Sequence, residues 1–273
     1  MKRISRNLLA VTATASLVTL TGCAGGSSIE EPPLLSEIDE LMWDTMLAEE
    51  SVTINADIEM LNEGQSDEMF SEVFGGESMG ATIYGPLDGS ATAVGFGDTD
   101  LLRAFGNEEA YMSGDGLLAL FGSQGLGEEE QEQLDAVAEE FADPWIDMSE
   151  DFADEGEEFK ISEIFETIQD GWNGEDDDTP IDRAEISDEG THEVRDDIDV
   201  WVYAGESEGQ ELVLVADHDA PKFYEISDGD NSMKFSDWSE TASPERPEEA
   251  NIITQDEAQQ LIMEAIMSSA FSQ

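Results

Sequence analysis

The sequence predicts an α+β fold: an antiparallel β-sheet with amphipathic helices packed on one face, and a further helix at the C-terminal end. Three observations carry this expectation. Several runs alternate apolar and polar residues with a period of two, separated by turns rich in Gly, Asn and Asp. Stretches with helical apolar spacing stand before, between and after those runs. The strands therefore come in blocks and do not alternate one by one with helices, which favours an antiparallel sheet over a parallel α/β arrangement.

Taken in order, Ser36 caps a helix to about Glu49, with Asp39 at the third position. Ile38, Leu41, Met42 and Thr45 share one face of it, widened by Met46 and Leu47. A half-buried strand follows, in which Val52, Ile54, Ala56, Ile58 and Met60 alternate with polar residues. Residues 62–78 form a long polar connection. The runs 79–85 and 90–97 flank Pro86-Leu87-Asp88-Gly89, a hairpin signal, and short strand-like pieces at 99–105, 109–113 and 116–121 extend a meander. Residues 128–142 carry Leu134, Val137, Ala138 and Phe141 at helical spacing behind an acidic first turn. Ser162 starts another helix, with Ile164, Phe165, Ile168 and Trp172 on its inner face. After a loop at 174–180, strands resume at about 182–187, 191–196, 198–204, 211–217, 221–227 and 231–236. The tail is Pro-rich to residue 253. Thr254-x-x-Glu257 then forms a capping box for a helix to about 271, whose stripe is Ala258, Leu261, Ile262, Ala265 and Ile266, widened by Met263, Met267 and Phe271. This helix is expected to pack on the domain, with a partner-binding role as the alternative.

The first 23 residues address the chain to a membrane. Lys2, Arg3 and Arg6 precede an uncharged, mostly apolar run from Leu8 to Leu20, then small residues: the secretory signal pattern. That run makes about 20 Å of helix, too short for a hydrocarbon core of about 30 Å, so cleavage is expected and not retention. Leu20-Thr21-Gly22-Cys23 resembles the lipobox of bacterial lipoproteins. The resemblance implies cleavage between Gly22 and Cys23 and a lipid anchor on the Cys23 thiol. It places the protein on the extracytoplasmic face of the bacterial cell membrane. The alternative is a secreted protein in which Cys23 stands near the cut by chance. The expected organisation is a signal peptide (1–22), a lipidated flexible tether (23–35), the main domain (36–242), and a Pro-rich linker with C-terminal helix (243–273).

Composition narrows the function. The chain has 10 basic and 67 acidic residues, a formal charge of −57. Loss of Lys2, Arg3 and Arg6 would take it near −60. Such a surface repels nucleic acid, so a phosphate-contacting role is excluded. Apolar residues make up 39% and are periodic, which excludes general disorder and supports a folded domain inside an acidic shell. A salt-rich habitat would suit it, since the Debye length falls to about 3 Å at 1 M. The one cysteine is the proposed anchor, so no disulfide staples the fold.

The succession of elements, with SVTINADIEM, DGSATAVGF, NEEAYMSGDG, ELVLVADHDAPKFYEIS and MKFSDWSE, resembles the LolA/LppX-type envelope lipoproteins and carriers, specifically the actinobacterial LppX/LprG-like ones. The resemblance covers about residues 36–242. It implies a strongly curved antiparallel sheet, a half-barrel partly filled by helices on its concave face, able to hold acyl chains of a lipid. The chain departs from the pattern in its acidity, in its C-terminal helix and at Leu117-Leu118-Ala119-Leu120. Independently of it, Leu41, Met42, Ile54, Ile58, Ile164, Phe165 and Ile168 are candidates to line an apolar ligand pocket between helices and first strand. Met42, Met46, Met60, Met69, Met79 and Met112 add adaptable side chains. The alternative is that all of these fill an ordinary core. No protein partner is identified.

No catalytic constellation, cofactor loop or metal motif is found. Gly76–Gly80 and Gly205–Gly209 match G-x-S-x-G around Ser78 and Ser207, but a nucleophile elbow needs a strand before the serine and a helix after it. The first is followed by a strand-like stretch and the second lies in an expected hairpin turn. The histidines are His192 and His218. The acidic runs Glu175–Asp178 and Asp228–Asp230 read as solvated loops. The expectation is a non-enzymatic lipoprotein that carries an apolar ligand; the alternative acts through its acidic surface or C-terminal helix.

Overall fold

The alternating runs become strands, and the short turns between them decide which strands are neighbours. The computed structural model describes residues 31–57, 80–97, 99–106, 108–116, 118, 138, 141, 144–152, 160–174 and 181–271, all within one compact unit, Glu31–Gln273. The first block of strands is β1 (Ser51–Asp57), β2 (Gly80–Pro86), β3 (Thr92–Phe96), β4 (Thr99–Phe105), β5 (Glu109–Ser113) and β6 (Trp145–Asp147). The second is β7 (Thr191–Arg195), β8 (Ile198–Ala204), β9 (Gln210–Val215), β10 (Phe223–Asp228) and β11 (Ser232–Ser236). Each block pairs antiparallel with its sequence neighbours, and β1 joins β11 antiparallel to make one sheet. A last strand, β12 (Ile252–Thr254), runs parallel to β6. The order is β12-β6-β5-β4-β3-β2-β1-β11-β10-β9-β8-β7, an unclosed sheet of twelve strands. The expected α+β class and antiparallel meander hold.

Register sorts the side chains by face. Ile54 stands opposite Ile83, Ile83 opposite Val94, Val94 opposite Leu102, Leu102 opposite Met112, and Met112 opposite Ile146. On the other side of β1, Ile54 faces Phe235, and the row continues through Met233, Ile226, Leu212 and Tyr203. One apolar face thus runs through both blocks, as a side-chain period of two requires. The reverse face presents Thr53, Tyr84, Ala93, Arg103, Tyr111 and Asp147 at successive register positions.

Two helices lie on the apolar face. Helix α1 (Leu35–Leu47) buries Leu35, Ile38, Met42, Trp43 and Met46, and α3 (Ile161–Trp172) buries Ile161, Phe165, Ile168 and Trp172. All of them join one cluster with the inner side chains of both strand blocks. Between them, α2 (Ser149–Phe152) is a single turn after β6. The last helix, α4 (Gln255–Phe271), follows β12, and its Ala258 packs with Phe141 and Ile146 in a separate small cluster.

The C-terminal segment crosses the reverse face. Thr241 bonds Thr53 (2.9 Å) and accepts from the Ser51 hydroxyl (3.0 Å). The Glu245 carbonyl accepts from Arg103 (2.9 Å), and Arg246 donates to Glu109 (2.6 Å). The chain is carried past β1, β4 and β5 to β6, so β12 arrives by a crossover, which permits a parallel pairing that no hairpin could make.

Several elements differ from expectation. Helix α1 begins one residue before Ser36, which does not cap it; Ser36 bonds Asp188 instead, through its N–H and its hydroxyl (both 2.7 Å). The strand expected at 182–187 is a 3-10 turn, Arg183–Glu185, because the Asp182 carboxylate accepts from the Ala184 N–H (2.8 Å) and closes a local turn. Residues 114–116 are helical where a strand was expected from 116. The Ser113 hydroxyl accepts from the Gly116 N–H (3.0 Å), and Gly116 abuts the β4 backbone at Leu101, leaving no room for a side chain. Strands β6 and β12 and helix α2 were not foreseen. Of the helix expected over 128–142, Ala138 and Phe141 are described, and both are helical. Ile58, Met60, Met69, Met79, Ser78, Gly22, Cys23 and Glu175–Asp178 lie outside the described residues.

Candidate functional site

The two helices on the apolar face run in opposite directions, and they are tied at one end. Trp172, at the end of α3, donates from Nε1 to Asp39 of α1 (2.9 Å). Its ring meets Trp43 edge-on at 6.3 Å. Arg183 lies over Trp172 at 5.6 Å, stands 3.8 Å from Asp39 and binds Asp188 at 2.6 Å. The Ser36 hydroxyl and N–H, joined by Arg183, hold the Asp188 carboxyl below the usual carboxylate range. Pro33 is fixed at the same end, since its carbonyl accepts from the buried Tyr203 hydroxyl (3.0 Å). Burial together with the charge of Asp188 pushes that phenol up from its ordinary value.

Toward the other end, both helices contribute to the lining of a cleft of about 990 Å³. Leu47, Glu49 and Glu50 line it from the end of α1, and Ser162, Glu163, Phe165, Glu166 and Gln169 from α3. The turn after β2 contributes Pro86, Leu87, Asp88 and Ser90, and the C-terminal segment Ser239, Thr241 and Ser243. The lining thus mixes the apolar Leu47, Pro86, Leu87 and Phe165 with acidic and hydroxylated side chains. Glu49 is held in place: Lys222 binds it at 2.9 Å, and the Ser239 hydroxyl donates to it. Burial pushes the Glu49 carboxyl up, but these two hydrogen bonds and the Lys222 charge outweigh it, and it sits below its ordinary value.

The structure brings most of the candidate pocket residues into one interior. Met42 and Ile54 are fully buried, Ile168 is 1% and Phe165 3% exposed, and all four share the main cluster, with Ile164 packed against it. Leu41 is 39% exposed on the outer side of α1. Phe165 has a double position, since it belongs to the buried cluster and also lines the cleft.

Sequence reasoning missed the aromatic part of this interior. Phe223, Phe235 and Trp43 are buried there, with Trp238 packed alongside. Trp43 meets Phe223 at 5.4 Å, Phe223 meets Phe235 at 5.4 Å, and Phe235 meets Phe165 at 5.9 Å. The signal was present as alternation in Phe223–Ser227 and Met233–Ser236, but alternation names a face and not its partners. The Trp43 indole N–H is buried without an acceptor among the described residues, a condition that costs about 1–3 kcal/mol.

The residues weighed for chemistry lie apart. Ser207 is in the β8–β9 turn, where its N–H donates to the Gln210 side chain (3.2 Å). His192 binds Asp199 at 2.9 Å near the start of β8, so the length of that strand, roughly 16 Å from Asp199 to Ala204, separates it from the turn. The His218 ring lies 4.6 Å from that of Trp201. Asp228 accepts from the N–H groups of Asp230 and Asn231 (both 2.8 Å), closing the β10–β11 turn. No cluster of three or more metal-ligating side chains occurs among the described residues, and no described helix is long and apolar enough to cross a membrane.

No protein-family model matches this chain, and no curated protein matches it either.

Proposed function

We propose that this chain is a non-enzymatic lipoprotein of the bacterial cell envelope, anchored through Cys23, with a LolA/LppX-like half-barrel. It binds an acylated lipid or another apolar ligand between helices and sheet. The observation that carries the reading is the cleft between the end of α1 and the start of α3, whose wall includes Phe165 of the buried cluster. A concave site that sets polar groups among apolar side chains is the usual form of a small-molecule site. The signal pattern ending in Leu-Thr-Gly-Cys supports the anchor, and two or more acyl chains would hold the protein to a membrane at about 0.8 kcal/mol per buried methylene.

Native mass spectrometry of the protein purified from its own host in high salt tests the ligand, followed by organic extraction. A stoichiometric lipid is expected. A clean apo mass that does not change on incubation with envelope lipids would remove the carrier reading. For the anchor, Cys23→Ala is expected to move the protein from the membrane fraction to the soluble one.

A second reading has one specific observation behind it. Met42, Ile54, Phe165 and Ile168 leave almost no surface free in this state, as in a filled core. In that case the protein acts through its acidic surface or through α4, where Met263 is 60% exposed.

A further inference from the structure

We infer that the molecule held in the cleft between the end of α1 and the start of α3 carries a positively charged amine; this rests on the reading of that cleft as a ligand site. At about 990 Å³ the cleft has the room of a small-molecule site. Its lining sets the charge of what enters. Glu49, Glu50, Asp88, Glu163 and Glu166 place five carboxylates on it, and no Lys, Arg or His lines it among the described residues. Two lysines stand nearby without lining it: Lys222 is bound to Glu49, and the aliphatic stem of Lys160 lies beside Gly89. Glu49 and Asp88 are held below their ordinary values, the first against its burial by Ser239 and Lys222 and the second by Ser90, so both stay charged at neutral pH.

Hydrogen-bonding capacity points the same way. An ionised carboxylate only accepts, and three hydroxyls of the lining have already given their protons inside the protein. Ser51 donates to the Thr241 carbonyl (3.0 Å), Thr241 to the Asp237 carbonyl (2.9 Å), and Ser239 to Glu49. An ammonium group suits such a wall, because it offers three donors and no acceptor. A phosphate or carboxylate headgroup would add acceptors and negative charge to a wall rich in both. A bare divalent ion is the other cation to weigh, but among the described residues no three carboxylates or imidazoles gather closely enough to ligate one. Carboxylates spread around a cleft fit an organic cation, whose methylenes meet Leu47, Pro86, Leu87 and Phe165. The headgroup of an amine-bearing lipid and a free polyamine share this chemistry.

The test is titration calorimetry at neutral pH on the full chain bearing Cys23→Ala, in molar salt, which screens the acidic surface beyond about 3 Å and spares close contacts. Three probes are used: dodecylamine, dodecanol and spermidine. Dodecylamine is expected to bind one to one and about tenfold more tightly than dodecanol. Glu50→Gln combined with Glu166→Gln, both at exposed positions of the lining, should weaken dodecylamine about tenfold. Glu206→Gln combined with Glu208→Gln makes the same charge change in the exposed β8–β9 turn and should stay within about twofold. The comparison of amine with alcohol is made on the parent chain and holds even where a variant fails to fold. Spermidine separates the sources: weaker binding than dodecylamine identifies an amine-bearing lipid, and equal or tighter binding a free polyamine. Equal affinities for amine and alcohol, or equal losses in the two double variants, overturn the inference and spare the carrier reading. Binding of spermidine alone, lost in the cleft variant, upholds the amine and removes the apolar ligand. Failure of all three probes removes the carrier reading and this inference with it.

Discussion

Ser239 keeps a left-handed backbone conformation (φ 58°) at the mouth of the cleft, where glycine or asparagine is the commoner choice. Three hydrogen bonds hold it there: its N–H to the Ser51 carbonyl (2.8 Å), its hydroxyl accepting from the Glu50 N–H (2.9 Å), and its hydroxyl donating to Glu49. Ser239→Ala is therefore expected to cost about 1–2 kcal/mol in urea denaturation. Ser239→Gly should cost less, because glycine accepts that φ without strain even as the hydroxyl bonds are lost. The tyrosines show residue-scale control of a different kind. Burial, reinforced by the Asp100 carboxylate, pushes the Tyr84 phenol up to about 12 against the influence of Arg103. Burial and Asp196 push Tyr224 up to about 12, and burial also raises Tyr111 and Tyr203. A phenol whose pKa rises on folding favours the folded state fully below its unfolded value near 10, and that contribution is lost as pH climbs toward 12. The chain has four tyrosines, and all four are raised. Phenolate absorbance should thus be nearly absent from the native protein at pH 10 and appear there in denaturant. A normal native titration would show that these hydroxyls are not held as described.

At the scale of elements, α1 separates the two sides of a helix cleanly enough to test. Met42→Ala and the strand change Ile54→Ala should each cost about 2–5 kcal/mol, as expected for large-to-small changes at fully buried sites. Leu41→Ala, on the 39% exposed side, should stay within about 0.5 kcal/mol in the same melts. Signals closed across the chain were not legible, and signals closed within a few residues were legible only in part: the capping box of α4 was read, whereas the turns at Asp182–Ala184 and Ser113–Gly116 were taken for strand. The Thr254–Glu257 capping box forms as read, with the Thr254 N–H donating to Glu257 (2.9 Å) and the Glu257 N–H to the Thr254 hydroxyl (3.2 Å). The cap of α1 comes instead from Asp188, 152 residues from Ser36, which no local pattern could name. Strands β6 and β12 are three residues each and exist through each other and β5. Three residues cannot display a period. The candidate site was half legible for the same reason. Helix spacing and the β1 alternation placed Met42, Ile54, Phe165 and Ile168 on inner faces, whereas the row from Trp43 to Phe165 is made by strands of the second block meeting α1 and α3.

For the whole molecule, the question is how a chain of formal charge −57 stays folded. The cations are few, and most of the described ones are paired with carboxylates. Arg103 binds Asp100 (2.7 Å), Arg195 binds Glu211 (2.7 Å) and Glu225 (3.2 Å), Lys222 binds Glu49, and Arg246 binds Glu109. The last two join distant elements, and together the pairs leave the acidic excess of the surface uncompensated, so the compact state is expected to repel itself and to gain stability from salt. Acid acts on this balance twice, with opposite signs. Protonating the excess carboxylates relieves repulsion and stabilises the fold. Hydrogen bonds from partners, however, hold Asp88, Glu109, Asp188 and Glu257 below their ordinary values. A carboxyl depressed on folding contributes stability above its unfolded pKa, and loses it as pH falls through the folded one, here below about 4. In low salt the melting temperature should rise as pH drops from 7 to about 5 and fall again below 4. In molar salt it should start higher, stay flat to about pH 4 and then fall. Scanning calorimetry over both series decides the matter: equal melting temperatures at pH 7 in low and molar salt would mean that the acidic shell imposes no folding cost, and that its purpose lies in what the surface meets.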